Sequence, residues 1–277
     1  MERMATHSYS DGDILVIVEN ISFRLHKNML SLASDVFSDM INCGVPSREE
    51  KIPILEIEQE NAHDFDNLLS FIYPRKHVSI TWNNIERLLR VSDKFMVESA
   101  TKACEKFLTN NYRRNPLLTF ILADKFNFDN LYRESSKLIL DDYQNFKSQP
   151  SFEMLSERAK AALNERYIKF FFGLCSIAKG VVLDDYNHKC KSTRHYETLE
   201  AEWENHVGNL TLPPPSPSTI CDMTCFYIGG TYNKKCNDHF TNKYLPEKIN
   251  DLLGDFEPLE DTGRNKRNQD YYIYVEK

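Results

Sequence analysis

Glycine is scarce in this chain, with 9 among 277 residues. A loop that cradles phosphate with its backbone needs glycines grouped close together. None of the patterns G-x-x-x-x-G-K-[ST], G-x-S-x-G or H-E-x-x-H occurs, so the common phosphate loop, nucleophile elbow and zinc protease helix are missing. Long apolar runs are missing too. The longest runs from Phe170 to Ala178, between Lys169 and Lys179, and a spanning helix needs about 20 apolar residues. Glu2, Arg3, His7 and Asp11 precede the first apolar stretch, unlike a secretory leader with its basic end and greasy middle. Basic charge is in deficit: 34 Lys and Arg face 41 Asp and Glu, a net charge of −7. That balance is opposite in sign to the footprint of a phosphate-backbone binder. These absences predict an intracellular chain, cytoplasmic or nuclear. Its seven cysteines would then be thiols or metal ligands rather than bridges. Nothing in the spacing of the cysteines and histidines marks a nucleophilic pair, and no enzyme activity is expected.

What is present is ordinary globular material. The length allows one or two domains, and 41% hydrophobic residues suffice for a core without disulfide staples. Ile14-Leu15-Val16-Ile17-Val18 is five β-formers in a row and reads as a strand buried on both faces. After Glu19-Asn20, the segment Ile21 to His26 alternates apolar and polar, predicting an antiparallel hairpin. A third strand is predicted at Ile52 to Ile57, with Pro53 near its start. Met29, Leu30 and Leu32 begin a short helix. Ser34 is a candidate N-cap for the next helix, carrying Val36, Phe37, Met40 and Ile41. Phe65, Leu68, Leu69 and Ile72 share a helical face that ends at Tyr73-Pro74. Ile85, Leu88, Leu89, Phe95 and Met96 form another stripe, continued by Val97, Ala100, Cys104, Phe107 and Leu108.

A repeat follows. Val91-Ser92-Asp93-Lys94-Phe95 recurs as Leu122-Ala123-Asp124-Lys125-Phe126, and Phe107-Leu108 correspond to Leu138-Ile139. A helix–turn–helix unit is therefore predicted twice in tandem, the second stacked on the first. A further helix is predicted from Ser156 to about Ile177. Beyond Val182 the chain turns polar, and Pro213, Pro214, Pro215 and Pro217 cluster. Residues 183–220 read as a linker; the proline run could also dock as an extended ligand. Residues 221–277 read as a small C-terminal region. It has a hairpin signal at Gly229-Gly230, a short basic run at Arg264 to Arg267 and a final strand at Tyr271 to Val275. Its Cys221-x3-Cys225-x10-Cys236-x2-His239 pattern suits either a structural zinc ion or a set of ordinary thiols. The usual C-x2-C pair is absent, and His188 and Cys190 are alternative ligands.

The order of these segments is specific. Gly12-Asp13-Ile14-Leu15-Val16-Ile17-Val18 is followed by Phe23-Arg24-Leu25-His26-Lys27-Asn28-Met29-Leu30 and Ser34-Asp35-Val36-Phe37-Ser38-Asp39-Met40. Then come Leu68-Leu69-Ser70-Phe71-Ile72-Tyr73-Pro74, Leu88-Leu89-Arg90-Val91-Ser92-Asp93-Lys94-Phe95 and Cys104-Glu105-Lys106-Phe107-Leu108. Over residues 10–110 this resembles a BTB/POZ domain. With Leu155-Ser156-Glu157-Arg158-Ala159-Lys160 beyond it, the chain is similar to BTB proteins of nematodes. The resemblance implies an α+β fold, a three-stranded sheet beside a cluster of five helices, followed by stacked helical hairpins over 111–182.

The resemblance also implies a protein-interaction module that commonly dimerises and often serves as substrate adaptor for cullin-3 ubiquitin ligases. A helical pair directly after the domain then extends the cullin contact. Two departures stand out. The loop Asn42 to Glu50 lacks the hydrophobic–any–Glu motif of cullin-binding members, and few residues precede the first strand, where longer forms add an exchanged helix and strand. No MATH, Kelch or zinc-finger array is recognisable. Candidate partner-binding residues are Asp13, Met40, Ile41 and Val45, and Tyr112, Leu117, Leu118 and Ile121 in the second helical pair. Each has a plainer reading. Asp13 and the pair His26-Lys27 could fix the strand-to-helix corner, and the others could be packing residues. Three functions stay open: a cullin-3 adaptor with the client held by the C-terminal region, a self-assembling scaffold without ligase, and a zinc-dependent nucleic-acid binder. The net charge weighs against the last.

Overall fold

The computed structural model describes residues 7–43, 52–73, 78–178, 216–218, 244–260 and 271–277, with residues 197 and 201 besides. Val45, most of the loop after residue 43, Pro213 to Pro215, Gly229-Gly230, the run from Arg264 to Arg267 and the candidate ligands His188, Cys190, Cys221, Cys225, Cys236 and His239 lie outside the described residues. The chain divides into two compact units, Met1–Asn111 and Tyr112–Lys277. Among the described residues, no helix is long and apolar enough to cross a membrane.

The first unit is built on a three-stranded sheet of order β2-β1-β3, from β1 (Ile14–Val18), β2 (Ile21–Leu25) and β3 (Ile54–Ile57). β1 and β2 form the predicted antiparallel hairpin, with Val18 opposite Ile21 and Ile14 opposite Leu25. β3 lies parallel to β1, Leu15 beside Ile54. The two-residue turn places Glu19 at φ 52°, the positive-φ position that a tight hairpin demands. Two expectations change here. β1 is fully buried on only one face, through Ile14, Val16 and Val18, while Leu15 and Ile17 are half-buried. β3 starts at Ile54, because Pro53 has no N–H to offer a ladder; its carbonyl still accepts the Leu15 N–H at 3.0 Å.

Among the described residues the first unit also holds five helices: α1 (Lys27–Ala33), α2 (Asp35–Cys43), α3 (Ala62–Leu69), α4 (Ile85–Lys94) and α5 (Glu98–Asn111). Ser34 caps α2 as predicted. Its hydroxyl accepts the Phe37 N–H at 3.0 Å and donates to the Phe95 carbonyl. Asn61 caps α3, accepting from His63 and Asp64. α3 stops at Leu69, and Ser70 to Tyr73 are turns, so the predicted helical face ends before Ile72. The core centres on four rings. Phe37 stacks on Phe95 at 4.8 Å, and Phe65 meets Phe23 edge-on at 5.3 Å and Phe95 at 6.0 Å.

The second unit holds α6 (Pro116–Phe126), α7 (Asp129–Asp141), α8 (Tyr143–Lys147), α9 (Glu157–Ala178), α10 (Leu245–Leu253) and the short strands β4 (Glu257–Pro258) and β5 (Tyr271–Tyr272). The repeat is visible as one joint used twice. After α4, Met96 takes φ 50° and the Val97 N–H donates to the Ser92 carbonyl at 2.9 Å. After α6, Asn127 takes φ 59° and the Phe128 N–H donates to the Ala123 carbonyl at 3.0 Å. This is the six-to-one bond of a helix ended by a left-handed residue. Val97 and Phe128 are buried behind it. Met96 itself is 62% exposed and does not belong to the apolar stripe, because the left-handed turn points it away from both helices.

The C-terminal segments fold into this second unit. β5 covers Tyr271–Tyr272 only, paired with β4; Ile273 and Val275 beyond it are buried without extending the predicted strand. The Val275 N–H donates to the Ser136 hydroxyl at 3.0 Å, and Lys277 Nζ donates to the Ala123 and Asp124 carbonyls at the end of α6. Lys137, 1% exposed, pairs with buried Glu134 and donates to the Pro258 carbonyl at 2.8 Å. α10 ends at Gly254, φ 81°, where Arg166 of α9 donates to the Leu253 and Asp255 carbonyls. Burial lowers the Arg166 pKa from its ordinary value.

Candidate partner-binding site

The corner between β2 and α1 carries a cluster of polar and aromatic groups. His26 precedes α1 and supplies no side-chain cap. Asp13, just before β1, does so across space: its Oδ1 accepts the Lys27 N–H at 2.8 Å. A carboxylate there also faces the positive end of the helix. The His26 N–H donates to the Tyr73 hydroxyl at 2.9 Å. Tyr73 is buried, and that burial pushes its phenol up to about 12. Tyr9 stacks on Tyr73 at 4.7 Å, and the His26 ring lies 5.3 Å from Tyr9 and 5.9 Å from Tyr73. His26 Nε2 sits 3.3 Å from the exposed Asp11 carboxylate. Around these groups opens a cleft of about 500 Å³, lined by Tyr9, Asp11, Asp13, His26 and Tyr73 together with Asn28 and Met29 of α1.

Asp13 thus fixes the corner, as its plainer reading expects, and it also lines the cleft. Tyr9, Asp11 and Tyr73 carried no signal in the hydropathy pattern. Their shared feature is aromatic and acidic residues flanking the first strand, and only the fold brings Tyr73 back to them. On α2, Phe37 is fully buried, whereas Val36, Met40 and Ile41 are half-buried and packed against the core edge. Leu32 on α1 is a large apolar side chain that is 86% exposed. The sequence pattern groups it with the apolar helix residues, but Leu30 is buried, and a residue two positions further lies about 200° around the helix.

In the second unit, Tyr112, Leu117 and Ile121 are buried. The Tyr112 hydroxyl stands 3.5 Å from Glu134, and Phe120 stacks on Tyr132 at 4.2 Å between α6 and α7. Leu118 is half-buried and is the one of the four with substantial surface. Its N–H is capped by Asn115 at 3.3 Å. Of the described cysteines, Cys43 is exposed, Cys175 half-buried and Cys104 buried. Burial pushes the Cys104 thiol up to about 12, so it is an inert packing residue. Among the described residues, no three His, Cys, Asp or Glu side chains are grouped to hold a metal.

Comparison with known proteins fits this architecture. Residues 4–112 match the BTB/POZ domain family. The chain is 29% identical to BTB and MATH domain-containing protein 38 of Caenorhabditis elegans over 159 residues, covering 57% of this chain and 40% of that protein. It is 26% identical over 149 residues to Kelch repeat and BTB domain-containing protein 1 of cowpox virus, covering 53% of this chain and 26% of the relative. BTB and MATH domain-containing protein 36 of Caenorhabditis elegans is 27% identical over 123 residues, 44% of this chain and 36% of its own length. The matched stretches are longer than the family segment, so the likeness is not confined to it. The chain spans well under half the length of these relatives.

Proposed function

With residues 4–112 identified as a BTB/POZ domain, a module that binds other proteins, we propose that this chain is a substrate adaptor for a cullin-3-type ubiquitin ligase. The observation that carries this reading is the helix pair α6–α7, which begins at Pro116, five residues beyond the end of α5. In adaptors of this kind such a pair extends the cullin contact. Within the first unit the surface offered would be Met40 and Ile41, half-buried on α2. The chemistry would belong to the recruited ligase. The adaptor's contribution is position: holding a client lysine beside a charged conjugating enzyme raises its effective concentration. The relatives named for MATH and Kelch modules pair the BTB domain with a second domain, and here the residues beyond α9 are the candidate client holder. A titration of the full chain against the N-terminal domain of cullin-3 tests the reading. Saturation in the micromolar range, weakened by Met40→Asp, supports it; no binding at roughly 100 µM overturns it.

A second reading, a self-assembling scaffold without ligase, is favoured by Leu32. An 86% exposed leucine on a short helix suits burial against another copy. Light scattering on the same sample decides it: a dimer that Leu32→Asp dissociates, together with no cullin binding, selects the scaffold.

A further inference from the structure

We propose that the outer edge of β3 takes an extended segment of a partner protein as an added strand, one that carries basic residues opposite Glu56 and Glu58. The inference goes beyond the ligase and scaffold readings and needs neither. The two edges of the sheet differ. That of β2 is covered: the Tyr9 N–H donates to the Arg24 carbonyl at 2.9 Å, and the Arg24 N–H donates to the Ser8 hydroxyl at 3.4 Å. On β3, the Pro53 carbonyl accepts the Leu15 N–H, and the parallel register turns Leu55 and Ile57 toward β1 in the same way. The N–H and C=O groups of Ile54 and Glu56 therefore point outward. No strand pairs with them among the described residues. An open row of this kind is a template for an added strand.

The side chains select which strand. Ile54 is half-buried and lies beside half-buried Leu15, so it favours an apolar neighbour. Glu56 is exposed, as is Glu58 two residues on, and neither has an ion pair among the described residues. Opposite charges across a strand pair stabilise it, and like charges destabilise it. A second copy of β3 does not fit. Two-fold pairing about Leu55 sets Ile54 opposite Glu56 of the other copy, and pairing about Glu56 sets glutamate opposite glutamate. The charge that guards this edge against its own kind thus selects a basic partner. The complementary antiparallel strand reads basic–any–basic–any–apolar from its N-terminus.

The test uses the full chain and the capped peptide Lys-Thr-Lys-Thr-Val-Thr-Val, with two controls. In one, glutamates replace both lysines. In the other, the second lysine and the first valine are N-methylated, which keeps every charge but removes the N–H groups that meet the edge. In hydrogen exchange followed by nuclear magnetic resonance, the Ile54 and Glu56 amides should exchange fast in the free chain, with Leu55 and Ile57 protected. The basic peptide should bind saturably and slow exchange at Ile54 and Glu56. The acidic peptide should bind about tenfold weaker, the swing expected of two charge pairs. Glu56→Lys should bring the two peptides within about threefold of each other at unchanged thermal midpoint, because Glu56 is exposed and holds no other group. Equal binding of the N-methylated peptide means attraction to the net charge of −7 alone and overturns the proposal. So do Ile54 and Glu56 amides already protected in the free chain, as pairing with a second copy would make them. Equal binding of the acidic peptide, a preference that survives Glu56→Lys, or no saturable binding at roughly 5 mM peptide overturns it too.

Discussion

Met96 and Asn127 occupy the same left-handed position in two helix joints, one with a side chain that resists it and one with a side chain that tolerates it. Met96→Gly removes the strain of a residue whose side chain is largely in water. Urea unfolding should show a gain of about 0.5–1 kcal/mol, after the entropy that glycine adds to the unfolded chain. Met96→Val should lose stability, because a branched Cβ is worst at positive φ. Buried acids give a second prediction at this scale. Cys104, Tyr73 and Tyr132 are each pushed up to about 12 by burial, from ordinary values of 9 for the thiol and 10 for the phenols. The native state therefore holds these protons more tightly than the unfolded state. Stability is fully present below pH 9, falls as pH rises through 9 to 12, and is lost above. Urea midpoints at pH 8, 9.5 and 10.5 should decline, and Cys104→Ala should flatten the first step. These residues also mark what one-dimensional reading reaches. Asp13 was legible because it abuts a strong strand signal. Tyr9 and Asp11 were not, since their role depends on Tyr73, which is distant in sequence.

Between elements, one buried carboxylate gathers two helices. Glu60, at the entry to α3, accepts from Arg90 at 3.1 and 3.0 Å and from Lys94 at 2.8 Å, all on α4. The glutamate side chain is 1% exposed while the cations are partly in water, so its charge is stabilised almost wholly by this pair. Glu60→Gln should cost about 1–3 kcal/mol in urea unfolding. Neither the pairing nor its partners could be read from hydropathy, because charged residues at a helix entry look like a solvated face. The helices themselves were legible, and so was the repeat, since identical spacing produced an identical joint. The mistakes at Ile52, Ile72 and Leu32 share a cause. Periodicity reports which residues are apolar, and proline, turn formation and helix angle decide which of them the element includes.

At the scale of the molecule, the C-terminal segments are a structural part of the second unit. Ile273 is fully buried there, and Ile273→Ala should cost about 2–5 kcal/mol. Hydrogen exchange should locate the loss in α6 and α7 and leave the β1 amides protected. Nothing in the sequence of 271–277 announces this docking: its alternation suggested a strand, and the Ser136 hydroxyl that receives Val275 lies far upstream.

The sheet order has a consequence for synthesis. β1 meets β2 through a two-residue turn, a step of about 1–10 µs once both have left the ribosome. Its other edge waits for β3, since Leu15 pairs with Ile54. At ~5–20 residues per second that partner emerges about 2–6 s later. For that interval the nascent chain carries a half-finished sheet whose open edge is β1, the most apolar strand of the domain and a template for any extended segment nearby. Synonymous changes that slow translation between Lys27 and Ile52 lengthen the exposure, so aggregation during expression should follow codon speed there although the protein made is identical.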